Sequence, residues 1–232
     1  MPSTNADRSN LLRDRAHAFC KALHAPPAPR ELLSQFFVDP SASHGAKPTI
    51  FEHGPHWAAS TRLPFLGKPF VGVESCEKYF ETLGQTLKMH LDEHSFPGVE
   101  GFVVDLEADA VAGGRVLCAT GHATEKHHHL WEPVKKVAGG LLWHGSGNSE
   151  NPNHGLKGTV TVVGKGTFES VKTGRKWDEE FVYVLGGWDE EGRFERWEIW
   201  ADPLSAWVAV GEGEVEGWAK GEFAKGESVK EL

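Results

Sequence analysis

Along residues 8–24, RSNLLRDRAHAFCKALH, apolar positions return every three or four residues, so that Leu11, Leu12, Ala16, Phe19 and Leu23, with Arg15, make one helical stripe. The APPAPR that follows ends this first helix. PRELLSQFFVDP then places Leu32, Leu33, Phe36 and Phe37 at helical spacing, with Pro29 near the first turn and Pro40 beyond the end, which predicts a short second helix. PTIFEH, residues 48–53, is extended in character and closes on Gly54-Pro55, as a short strand does. In PFVGVESCEKYFETLGQTLKMH the recurrence of Val73, Cys76, Tyr79, Phe80, Leu83 and Leu87 predicts a third helix from about Val73 to about His90.

Beyond it the pattern turns to strands: GFVVDLEADAVA, RVLCATGHATEKHH, GTVTVVGKGTFESV, RKWDEEFVYVLGG and RFERWEIWAD. Turns at Lys172-Thr173-Gly174 and Asp189-Glu190-Glu191-Gly192 make hairpins of the last three, so the late sheet is expected to be antiparallel. The reading is one α+β domain over residues 8–210, interrupted by a turn-rich insertion at about 127–157 and followed by a charged, Gly-rich tail at 211–232.

Composition narrows the function classes. The net charge of -9 leaves no basic stripe for a phosphate backbone, so nucleic acid is not an expected partner. No apolar run approaches eighteen residues and the first residues are polar, which points away from a membrane span or a secretory leader and toward the cytosol. Nine Trp and thirteen Phe predict an aromatic interior. Cys20, Cys76 and Cys118 are odd in number and set in apolar patterns, as buried thiols are.

The order helix, helix, strand, helix, then antiparallel strands resembles the nuclear transport factor 2-like superfamily, particularly its SnoaL-like polyketide cyclase and ketosteroid isomerase branches. Phe70-Val71-Gly72-Val73 through Cys76 to Tyr79-Phe80 is similar to that superfamily's Gly-led third-helix motif. Glu191-Gly192-Arg193-Phe194 through Trp197 to Trp200-Ala201-Asp202 is similar to its final hairpin and closing aromatic-x-Asp. The resemblance covers roughly residues 8–123 and 158–210. It implies a curved antiparallel sheet with three N-terminal-half helices closing as a cone around a small-molecule pocket, acid–base chemistry without a cofactor, and a homodimer. The superfamily also holds non-catalytic binding and assembly domains, which is the alternative reading.

Within that resemblance His53 stands where ketosteroid isomerases carry the general base, just before Gly54-Pro55, although a histidine satisfied structurally is the alternative. Glu180 falls near their second acid. It faces the pocket if Val182 and Val184 do, and is a solvated residue if Phe181 and Tyr183 point inward instead. Phe19 takes the place of their oxyanion tyrosine and cannot donate a hydrogen bond, which argues against literal ketosteroid isomerase chemistry. Ile199 takes the place of the SnoaL acid and, with Trp197, is expected to line the pocket. Phe19, Val182, Val184, Trp57, His90 and His122 complete the candidate ligand-binding set, with His94 near the same mouth. Asp202 reads as a turn or capping residue, and Phe181, Tyr183 and Trp200 as an outer apolar patch for the dimer.

His127-His128-His129, His144 and His154 invite a metal reading. Consecutive strand residues point to opposite faces, however, and no His-x-Glu or Cys-x-x-Cys accompanies them, so no metal site is assigned. A phosphate-binding Gly-rich loop and a Gly-x-Ser-x-Gly elbow are both missing. The resemblance implies, as ligand, a small apolar carbonyl compound handled by isomerase, cyclase or dehydratase chemistry.

Overall fold

The computed structural model describes residues 4–42, 45–60, 62–109 and 156–211. Helix α1 spans Asn5–Ala22 and starts at Thr4, whose hydroxyl accepts from the Asp7 amide at 3.1 Å. Its apolar stripe delivers Leu12, Ala16, Phe19 and Cys20 to the core, all fully buried. Burial of each large side chain contributes about 1.5–3 kcal/mol. Helix α2 is Pro29–Phe36, with Pro29 in its first turn, where a missing amide proton costs nothing. Strands β1 (Thr49–Glu52) and β2 (Pro69–Val71) follow, then helix α3 (Val73–Thr86), entered through Gly72 at φ 86°, a conformation that favours glycine.

The expected third helix is corrected at its end. It stops at Thr86, and Leu87–His90 form strand β3, antiparallel to the end of a long later strand. Leu87 and Met89 alternate with exposed Lys88 and His90, a period of two that overrides the helical spacing upstream. Strand β4 is Val103–Asp109, and the long strands β5 (Lys157–Ser170), β6 (Lys176–Trp188) and β7 (Phe194–Trp200) run as the two expected hairpins. Helix α4, Pro203–Val210, had no counterpart in the sequence reading. It is capped by Asp202, which accepts from the Leu204 amide at 2.9 Å and the Ser205 hydroxyl at 2.6 Å. The expected strand RVLCATGHATEKHH, with His122, and nearly all of the insertion lie outside the described residues.

The architecture is α+β, with four helices among the described residues and one open curved sheet in the order β2-β1-β7-β6-β5-β3, β4 sharing the outer edge of β5 with β3. The sheet is mixed rather than wholly antiparallel, because β1 runs parallel to β7, pairing Ile50 with Trp197 and Glu52 with Ile199. A parallel pair needs a long crossover, and more than half of the chain lies between these two strands. One core cluster reaches from Leu12 to Val210. A Cβ at Gly164 would run into the Phe181 ring, so a residue without a side chain lets the ring pack against the β5 backbone there. No helix among the described residues is long and apolar enough to cross a membrane.

Strand parity corrects two further expectations. On β6 the inward set is Trp177, Glu179, Phe181, Tyr183 and Leu185, so Phe181 and Tyr183 are 3% and 4% exposed and belong to the core, not to an outer patch. Val182 and Val184 lie half-buried on the opposite face, and Glu180 is exposed.

Candidate active site

The concave face of the sheet and helices α3 and α4 enclose a hollow of about 40 Å³. That is room for one to a few water molecules, well short of the ~150 Å³ in which a buried benzene fits. Aromatic and aliphatic side chains line it, and among its polar groups are Glu52, Tyr79, Glu179 and Tyr183. Among the described residues no Lys, Arg or His lines this hollow, and no three His, Cys, Asp or Glu gather to hold a metal ion.

Glu52 owes its place to register. Because Ile50 and Glu52 pair with Trp197 and Ile199, these four share the inner face of the sheet. The Tyr79 hydroxyl, on α3, donates to Glu52 Oε2 at 2.8 Å. Burial pushes the Glu52 carboxyl up to about 7, against the opposing hydrogen bond from Tyr79 and with a smaller push from the nearby charge of Glu179. Burial also holds the Tyr79 and Tyr183 hydroxyls well above the usual phenol range, so both stay protonated donors. Glu179 is raised in the same direction, again chiefly by burial. Its carboxylate is already engaged by the Trp177 indole at 2.7 Å and by the Asp202 amide, which ties the start of α4 to β6.

His53 does not reach the hollow. One residue past Glu52, it falls on the outer face, 8% exposed, with Nε2 3.0 Å from Glu198 Oε2 and its ring stacked on Trp200 at 3.5 Å. Its amide donates to the Ile199 carbonyl at 2.8 Å, and Arg196 Nε stands 3.4 Å from the other Glu198 oxygen. The expectation that this imidazole faces an apolar pocket is therefore corrected by strand parity, and the histidine is satisfied by a buried carboxylate.

Glu180 lies in a separate open groove with Asp92, Lys165 and Asp178, as does His90, which pairs with Glu169 at 3.1 Å. His94 is exposed at the same groove. Val182 and Val184 are on the outer face and do not line the hollow. Phe19 sits behind it, edge-on to Trp197 at 5.1 Å, and Trp57 is 60% exposed against Trp207. Trp197 and Ile199 do line it. His122 lies outside the described residues. Sequence reasoning missed Glu52, Tyr79 and Tyr183 as polar lining. The available signal was that Ile50 needs burial, which sends Glu52 to the same face two residues later. Cys20 and Cys76 are buried free thiols whose burial keeps them protonated and inert.

A curved mixed sheet with helices on its concave side and two carboxyls raised by burial, Glu52 and Glu179, in a mainly apolar hollow defines a small-pocket α+β architecture. Solved structures similar to this chain include an NTF2-like protein from Burkholderia xenovorans LB400, at 10% identity over 88% of this chain and 98% of that one, TM-score 0.49. A ketosteroid isomerase-like protein from Erwinia carotovora atroseptica SCRI1043 follows at 9% identity over 84% and 96%, TM-score 0.41. A phenazine biosynthesis-related protein from Pseudomonas aeruginosa shares 9% identity over 89% and 91%, TM-score 0.41. No protein-family model matches the sequence, and no curated protein matches it.

Proposed function

We propose that residues 8–210 form one cone-shaped domain that acts, without a cofactor, as an isomerase, cyclase or dehydratase on a small apolar carbonyl compound, with Glu52 moving the proton. The observation that carries this reading is a carboxyl in a mainly apolar hollow whose pKa lies at about 7, hydrogen-bonded by Tyr79. A base poised near the working pH is what proton abstraction next to a carbonyl requires. In the step, the Glu52 carboxylate takes the α-proton, the C–H electron pair becomes the new C=C bond, and the carbonyl π pair moves onto oxygen. Return of the proton from the same carboxyl to another carbon completes an isomerisation.

The test is proton exchange of small ketones in D2O, followed by NMR. Exchange by the wild type that is lost in Glu52→Gln is expected. A wild type that exchanges no ketone faster than buffer removes the reading. The second reading is a non-catalytic receptacle or assembly domain, and the small size of the hollow, about 40 Å³, favours it. Ligands retained by the purified protein, identified by mass spectrometry but unchanged on incubation, would select it. We further propose a cytosolic homodimer joined through the outer sheet face.

A further inference from the structure

The hollow of about 40 Å³ is too small to enclose even a short ketone, so part of any such ligand stands at its rim. The lining divides accordingly. Tyr79, Tyr183 and Ile199 are buried, whereas Phe168, Trp177, Glu179 and Asp202 line the same hollow and keep contact with solvent. What these last four offer decides the chemistry of the part of the ligand left outside the interior.

Register builds the rim. Phe168 on β5 and Trp177 on β6 are direct cross-strand partners, and their rings stack at 5.7 Å and 23°. Glu179 is two residues beyond Trp177 on the same inward face, and its Oε2 accepts from the Trp177 indole at 2.7 Å. Asp202, at the start of α4, stands beside them, and the Ser205 hydroxyl holds its carboxyl below the usual range, so it stays charged. With Glu52 this puts three carboxyls along one hollow, while among the described residues no Lys, Arg or His lines it. The three are spread from interior to rim and do not gather into a metal site. Tyr183 is 4% exposed and its hydroxyl has no partner among the described residues, so the hollow suits an occupant with polar groups of its own rather than a hydrocarbon.

We propose that the ligand is a small ketone bearing an ammonium group, its cationic nitrogen seated at the rim against the Glu179 carboxylate and the faces of Trp177 and Phe168, its carbonyl end directed inward. This rests on the reading of Glu52 as the proton carrier and adds a charge at the ligand's other end, so that the molecule is apolar only where the interior holds it. A cation over an indole face is attracted by the ring quadrupole, more strongly as water is excluded. Burial raises the Glu179 carboxyl, and a cation beside it holds it ionised. The net charge of -9 steers cations toward the chain and turns anions away.

Two ketones of one shape make the test: acetonyltrimethylammonium and neopentyl methyl ketone, which differ by a cationic nitrogen in place of a quaternary carbon. Their dissociation constants for the full chain come from shift titrations in 15N–1H spectra. The cation is expected to bind about tenfold tighter, and Glu179→Gln, which keeps an oxygen for the Trp177 indole, should cut that preference to about threefold. Raising the salt concentration should shrink the wild-type preference, a measurement that stands if the variant fails to fold. Equal binding of the two ketones, tighter binding of the neutral one, or no binding of either overturns the proposal. So does a preference indifferent to Glu179→Gln or to salt. Exchange of α-protons in D2O, followed on the same two ketones, separates this proposal from the reading it rests on. A cation bound in preference but exchanged no faster than in buffer removes Glu52 as the proton carrier and keeps the rim site, whereas Glu52-dependent exchange without any preference removes the rim site alone.

Discussion

Replacing Glu52 by Gln removes one titrating group from the hollow and leaves the shape and the Tyr79 contact in place, so its effect on stability is readable as a pH difference. In the folded chain the Glu52 carboxyl is raised from 4.5 to about 7. A carboxyl that holds its proton more tightly when folded stabilises the fold fully below the unfolded value, near pH 4.5, and that contribution is lost as pH rises through about 7. At roughly 1.4 kcal/mol per pH unit the whole swing is about 3 kcal/mol, of which about 2–3 kcal/mol falls between pH 5 and pH 8. Urea unfolding of both proteins at those two pH values gives the comparison, and groups common to both cancel in the difference. Wild type is expected to lose about 2–3 kcal/mol more than Glu52→Gln on going from pH 5 to pH 8. An equal change in the two proteins would show that Glu52 titrates as an exposed carboxylate does, and the acid–base argument would go with it.

Gly164→Ala drives a methyl group into the Phe181 ring and should cost about 1–3 kcal/mol by overpacking, which thermal unfolding measures; an unchanged Tm would show that the ring has room to move. On the outer face Val163 and Trp200 are 57% and 39% exposed and flank Val182 in one cross-strand row, so Val163→Lys should convert the proposed dimer to a monomer in sedimentation at micromolar concentration. A monomeric wild type would dispose of the dimer.

How far the sequence reached depended on which period a segment carries. The stripes of α1 and α2 and the turns between β5, β6 and β7 were readable because each repeats one local rule over many residues. The end of α3 was not, since Leu87 satisfies a helical spacing from Leu83 and an alternating one toward Met89, and only pairing with β5 decides between them. Helix α4 is mostly apolar on all sides and only eight residues long, leaving no stripe to detect. The site failed for a narrower reason. Its ligand-facing residues are set by parity on strands, and an error of one position moves a side chain through the sheet. Glu52 and His53, and likewise Glu179 and Glu180, are neighbours in which the inward member was passed over for the outward one.

That same parity gives His53 a role without chemistry. Strand β1 is four residues long, and a slip of one place would bring the imidazole into the hollow and carry Glu52 against Trp200. Ile50 resists the slip by its complete burial, and His53 resists it through the 3.0 Å bond to Glu198 and the amide bond to Ile199. A hydrogen bond to a buried charged group is worth about 1.5–3 kcal/mol, so His53→Ala should destabilise the fold by at least that amount, with further loss from the vacated stack on Trp200. His53→Gln keeps a donor toward Glu198 and should recover part of it. If His53 only positions β1, ketone exchange by His53→Gln keeps the wild-type pH midpoint near 7, because the titrating group is still Glu52. A folded His53→Gln protein whose midpoint moves, or whose exchange vanishes, would return the imidazole to the chemistry and contradict the assignment of the two faces.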